Sequence, residues 1–179
     1  MAESIGAAAA GLKPCKRYIA THDKAGKSVY AESPDQVFNA VANIGGMARS
    51  YAVGSVPADL KDEVDVKAYR AEEGPTSYRR REIVVPQPGA NLVVVDLEPG
   101  ANSMMHRTVS IDFSICCVGE IDHELDGGEK VRLYPGVSAV VIDALCIYRR
   151  WLTIFRTTSY SEAQCTDGLT RPKRSLPAL

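Results

Sequence analysis

At 179 residues with 45% hydrophobic content, the chain is the size of one compact domain and long enough to bury a core. A formal net charge of −1 gives no long-range field to draw nucleic acid or anionic lipid, which leaves a neutral or weakly acidic small molecule as the expected partner. Five cysteines, an odd number with no C-x-x-C pair, point to a reducing compartment, so the expected location is cytoplasmic.

In chain order, Gly6–Leu12 is apolar, but Glu3 stands where a secretory signal needs a positive flank, and the run is too short to span a bilayer. Residues 1–14 read as a disordered tail. Arg17–Ala20 and Ser28–Ala31 flank the polar stretch His22–Lys27 and predict a hairpin, with His22 solvated in its loop. The stretch Glu32–Gly74 mixes Pro, Gly and charge, and reads as loop or as one short helix around Pro34–Asn43. Beyond Ser77 the pattern is that of strands, Tyr78–Val85 and Asn91–Leu97, separated by a Pro-Gln-Pro-Gly turn. The cluster Tyr78-Arg79-Arg80-Arg81 reads as a solvated strand end rather than an anion site.

Val109–Val118 alternates. Val109, Ile111, Phe113, Ile115 and Cys117 form an apolar face, while Ser110, Asp112, Ser114 and Cys116 form a small, polar one. The second face is either solvated or turned into a barrel interior, and the alternation alone leaves both open. Cys116-Cys117 reads as a pair of small apolar strand residues. Asp126-Gly127, between Glu120–Leu125 and Glu129–Leu133, is a hairpin signal for a type I′ turn. Val137–Ile147 is apolar but too short for a membrane span, which suits a buried strand or short helix. Several short strands joined by such turns make a sandwich or barrel.

Within PGANSMMHRTVSIDFSICCVG, Gly100, His106, Thr108, Asp112 and Gly119 fall in register with the first motif of the cupin superfamily, G-x5-H-x-H-x3-E-x6-G. Thr108 replaces the second histidine and Asp112 the glutamate. With VVDLEPG before it and GEIDHELDGGEK after it, the run resembles small single-domain fungal cupins of polyketide gene clusters, some of them oxidoreductases of salicylaldehyde-type pathways. The likeness extends from about Arg17 to Gly136. It implies an all-β, cupin-type antiparallel β-barrel (jelly roll) over residues 15–136, and a homodimer as the form in which such barrels associate.

It also implies a reaction centre at His106 and Asp112. In the family the corresponding residues hold a divalent transition metal such as iron or manganese, and here His106 and Asp112 would be its ligands. His123 alternates with Ile121 and Leu125 and is a weaker third candidate, its plainer reading being a partly exposed strand histidine. The second family motif, G-x5-P-x-G-x2-H-x3-N, aligned on Gly136, would place Ile142, Ala144, Ile147 and Trp151 at its proline, glycine, histidine and asparagine; none matches. The segment 137–179 is therefore either a divergent end or read-through of a retained intron, since Val137-Ser138 is what GTGAGT translates to. If the segment folds, Val137–Ile147 and Leu152–Thr157 must close the barrel; otherwise it is incomplete at its C-terminal end. There is no phosphate-binding Gly-rich loop, G-x-S-x-G elbow or H-E-x-x-H helix, so no nucleotide cofactor is expected.

Three functions follow. The resemblance implies an oxidoreductase acting on an aromatic or pre-aromatic polyketide intermediate of secondary metabolism. The pair His106 and Asp112 also suits a metal-independent isomerase or cyclase using acid–base catalysis. The third is a small-molecule-binding cupin without catalysis, or a truncated product left inactive by the absence of the second metal motif.

Overall fold

A computed structural model of the chain describes residues 3–82, 89–106, 110–142 and 150–164. The chain folds as an all-β jelly-roll barrel of the kind the cupin resemblance implies, with one short helix among the described residues. Its main sheet is built from β1 (Glu3–Ile5), β4 (Val37–Val41), β5 (Gly45–Val53), β6 (Ala90–Leu97), β7 (Ile111–Glu124), β8 (Lys130–Leu133), β9 (Ser138–Ile142) and β10 (Arg150–Gln164). The order across it is β1-β4-β5-β6-β10-β7-β8, with β9 pairing the first half of β7 and β8 the second. β2 (Ile19–His22) and β3 (Ser28–Ala31) form the expected N-terminal hairpin as a separate ladder. No helix among the described residues is long and apolar enough to cross a membrane.

The ladders are antiparallel except where β10 inserts between β6 and β7, parallel to both. Central parallel strands are covered on both faces and read as apolar runs, as Leu152-Thr153-Ile154-Phe155 does. The segments expected to close the barrel thus supply β9 and β10, while residues 143–149 lie outside the described residues.

A buried ion pair secures β10. Arg156 donates from Nε and Nη2 to the two carboxylate oxygens of Asp96 on β6, each at 2.8 Å. The remaining capacity of the pair goes to the N-terminal segment. The backbone N–H of Ala8 donates to Asp96 at 2.7 Å, and Arg156 Nη1 donates to the carbonyl of Lys13 at 2.7 Å. Residues 1–14 were expected as a disordered tail, yet Glu3–Ile5 pairs with β4, and Ala8 and Cys15 pack on the Phe38, Ala48 and Val94 cluster. Their apolar side chains cover the outer face of the sheet, which burial of that surface favours.

Three other differences from the sequence reading have local causes. Within Glu32–Gly74 the structure has β4, β5 and α1 (Val64–Arg70) in place of a loop or a helix at Pro34–Asn43. Asn43, at φ 62, makes the tight turn that lets β5 fold back on β4, and the sheet overrides the weak local signals. Tyr78–Glu82 is turn and bend rather than strand, and residues 83–85 lie outside the described residues. Arg49 pins both ends of this stretch, donating to the carbonyl of Ser77 just before it at 3.1 Å and to that of Glu82. At Asp126-Gly127 the only positive φ belongs to Gly128, at 84°, and Gly128 N donates to Leu125 O at 2.9 Å. The turn is accordingly type I followed by a glycine bulge, not type I′.

β7 carries an irregularity that shapes the barrel. Phe155 pairs with Cys116 but Arg156 with Val118, leaving Cys117 as an extra residue, and Gly119 has φ +79. An extra residue flips the side-chain period. Asp112, Ser114 and Cys116 are buried before it; after it Ile121, Asp122 and His123 are all buried, and it is Ile121 that joins the core cluster with its partner Leu133. The inner face therefore continues along β7 although the numbering changes from even to odd.

Two measurements test these supports. Arg156→Met should lower the free energy of urea unfolding by about 3–5 kcal/mol, the cost of a buried charge left alone, and adding Asp96→Asn should recover part of it. A single variant as stable as the parent would remove the pair from its central place. A Cβ at Gly119 would collide with the Thr157 carbonyl, whereas one at Gly128 meets nothing within 4 Å. Gly119→Ala should cost about 2–3 kcal/mol and Gly128→Ala about 1 kcal/mol; equal costs would contradict the close approach.

Candidate functional site

Residues opposite one another on neighbouring strands point to the same side of a sheet, so the register assigns the inner face. Through the register of β10, Asn91, Asp112 and Val141 fall in one row across it, Arg49, Val93, Ser114 and Ala139 in the next, and Met47, Val95 and Cys116 in a third. The described side chains of the first two rows include Asn91, Asp112, Arg49 and Ser114, all buried, and Ser110 beside them is buried too. Farther along, the face becomes apolar, with Val93, Val95, Leu97, Cys116, Ile121 and Leu133 in one cluster. One end of the inner face is thus a polar floor and the other a hydrophobic core.

Asp112 is at the centre of that floor. It is 7% exposed, and the Ser110 hydroxyl donates to its Oδ1 at 2.6 Å. The short polar side chains of the even positions of β7 therefore face the barrel interior rather than solvent. Arg49 supplies a cation on the same face; burial lowers its pKa to about 10, so it stays protonated at neutral pH. Its guanidinium also donates to the carbonyl of Pro75 at 2.9 Å, which ties the floor to the loop after α1.

His106 is in a different setting. It is exposed, and its Nδ1 lies 3.0 Å from the carbonyl of Met104. Thr108 lies outside the described residues. His22 sits exposed at the end of β2. His123 is 7% exposed on the inner face, and burial holds its imidazole below the ordinary histidine pKa. It borders an open groove of about 370 Å³ with Leu125, Glu129, Val131, Ala139, Val140 and Val141, of which Val131 and Val140 are each 54% exposed. Val141 is also the register partner of Asp112, so β9 is shared by the polar floor and this groove.

A divalent transition metal takes three or more protein donors, usually imidazoles with a carboxylate. Among the described residues no three of His, Cys, Asp and Glu gather in a group of that kind. The described donor set does not fit iron or manganese held by His106 and Asp112 with His123 as a third ligand. Arg49 and Asn91 were not singled out from sequence. Arg49 lies in a stretch with little apparent period, and Asn91 opens a valine-rich run whose alternation marks a strand without marking a site.

No protein-family model matches the chain. It is 37% identical over 145 residues to phomopsin biosynthesis cluster protein C' of Diaporthe leptostromiformis, covering 78% of this chain and 72% of that protein. Over 126 residues it is 32% identical to oryzines biosynthesis cluster protein J of Aspergillus oryzae, covering 69% and 68% of the two. Over 130 residues it is 32% identical to a cupin-domain-containing oxidoreductase of Neurospora crassa, covering 72% of this chain and 62% of that one. The all-β barrel, the inward-facing Asp112 in its motif register and these relatives agree: the chain belongs to the fungal cupin-like proteins of secondary-metabolite biosynthesis clusters.

Proposed function

We propose that the protein is a cupin-type oxidoreductase acting on a polyketide-derived, aromatic or pre-aromatic intermediate, with Asp112 at the reaction centre. The observation that carries the site is the buried Asp112 carboxylate, fixed by Ser110 on an inward-facing polar floor. The oxidoreductase class is supported by the names of relatives at 27–32% identity. A carboxylate held in one orientation can accept a proton from a bound substrate and return it.

The Ser110–Asp112 pair favours a second reading, proton transfer without a metal in an isomerisation or cyclisation. That chemistry needs a positioned acid–base group rather than a ligand set, and the described residues supply the former.

Replacing the gene in the producing fungus with an Asp112→Asn allele tests the site and separates the two readings. A block is expected, with turnover reduced about 10²–10⁴-fold, and the accumulated precursor is read by mass. Under the oxidoreductase reading it differs from the next metabolite by a pair of hydrogen atoms or an oxygen atom; under the proton-transfer reading it is an isomer or a dehydration partner. Unchanged metabolites in a strain making normal amounts of the variant would remove Asp112 from the reaction. Titrating purified protein with iron(II) and manganese(II), followed by calorimetry, gives a readout independent of turnover. The expected result is no tight stoichiometric binding, and saturable binding lost in His106→Ala would restore the metal site.

A further inference from the structure

The N-terminal hairpin carries cations that the rest of the fold leaves without counter-charges. Between Leu12 and Ala31 the chain has Lys13, Lys16, Arg17, Lys24 and Lys27 against the single carboxylate of Asp23. None of these cations forms an ion pair among the described residues, whereas Arg70, Arg79, Arg80, Lys130, Arg132 and Arg156 do. Arg17 donates to neutral groups, the Tyr69 hydroxyl and the carbonyls of Ser50 and Pro34, so its charge is unopposed. Carboxylates around the hairpin are engaged elsewhere: Glu32 with Arg70 at 2.6 Å, Glu63 with the Thr21 hydroxyl at 2.6 Å, and Asp23 with the backbone N–H groups of Ala25 and Lys27. Asp35, just beyond β3, is exposed and offsets one cation.

The same hairpin has an open edge. β3 pairs with β2 and with no other described strand. Asp23 N donates to Lys27 O at 2.9 Å, and bonded pairs alternate along an antiparallel ladder, so Thr21 and Val29 form the next bonded pair. The backbone N–H and C=O groups of Ser28 and Tyr30 therefore point away from β2, and both residues are exposed. A row of this kind is a template for another extended chain. Beside it Tyr18 and Tyr30 are 71% and 75% exposed, with ring centroids 5.7 Å apart. The unpaired cations select an anionic partner, and the edge selects a polypeptide, because neither a lipid headgroup nor a nucleic acid offers a matching row of N–H and C=O groups. With the whole chain at −1, the rest of the molecule is net negative and opposes a broad polyanion such as a membrane or a duplex.

We infer that the basic, tyrosine-bearing hairpin is a docking surface for an extended acidic segment of a partner protein, which adds as a strand to the edge of β3. The backbone of that segment pairs with Ser28 and Tyr30, and its carboxylates meet the hairpin lysines. The surface is independent of the chemistry at Asp112.

The probes are a blocked hexapeptide alternating valine and glutamate and its counterpart with lysine for glutamate, each titrated to millimolar concentration into the isotope-labelled full chain and followed by NMR. The acidic peptide should shift the amides of Ser28 and Tyr30 saturably and slow their hydrogen exchange, with binding that weakens as salt is raised. The lysine peptide should not bind. Lys24→Glu with Lys27→Glu, both exposed positions, should weaken binding of the acidic peptide about 3- to 10-fold. N-methylation of either its valines or its glutamates, whichever set faces β3, should abolish the slowed exchange. No saturable shift, shifts confined to other elements, equal binding of the lysine peptide, or undiminished binding of both methylated peptides would overturn the inference. Binding to phosphatidylserine vesicles without a response to peptide would assign the hairpin to a membrane, and β3 shifts that follow protein concentration alone would assign the edge to a second copy; either result overturns it.

Discussion

The contact between Asp96 and Arg156 joins three parts of the chain that are far apart in sequence. Asp96 is on β6, Arg156 is on β10, and the donors and acceptors completing the pair belong to the N-terminal segment. Side-chain exposures of 0% and 9% mean that both charges lose most of their hydration. Such a pair is tolerable only when geometry is good and the remaining polar capacity is used, and here two parallel hydrogen bonds and two backbone partners meet that condition. Its contribution is better seen as specificity than as net stability. β10 could slide in register along the valine-rich β6 at little cost in apolar contact, but any slip would bury Arg156 against a residue other than Asp96.

Fixing β10 fixes β7, and the polar floor follows. Asp112, Ser114 and Cys116 share a face with Asn91, Val93 and Val95 only because β10 mediates between β6 and β7 in one register. The residues around the candidate site thus depend on a strand from the segment 137–179, the part of the sequence with the least resemblance to the family.

How much of this was legible in advance varied with the range of the interaction. The N-terminal hairpin, β6 and β7 were readable because their signals are local: turn residues, valine-rich runs and strict alternation. The even positions of β7 were a candidate inner face, and the cupin register gave the correct side. β4 and β5 were not readable, because Gly45-Gly46-Met47-Ala48-Arg49 has no strong strand preference and becomes a strand by pairing with β6. The order of the N-terminal segment was also hidden, since it depends on Asp96 and Arg156, far away in sequence. Arg49 and Asn91 were missed as site residues for the same reason: a lone polar residue in a strand shows its facing only once its neighbours' register is known.

The irregularity at Cys117 and Gly119 explains why one strand can serve both a polar floor and an open apolar groove. A regular β7 would have kept even positions inside throughout, placing Asp122 and Glu124 within the barrel and turning His123 outward. The extra residue reverses that assignment midway. Asp122 instead reaches Arg132 of β8 at 2.9 Å, and His123 takes the inner side with Ile121. Glycine is required at position 119 because the strand turns there against the Thr157 carbonyl, where no side chain fits. β8 and β9 both pair with β7, one after the irregularity and one before it. A buried carboxylate before Cys117 and a buried imidazole after it are thus both consequences of the irregular pairing of β7 with β10.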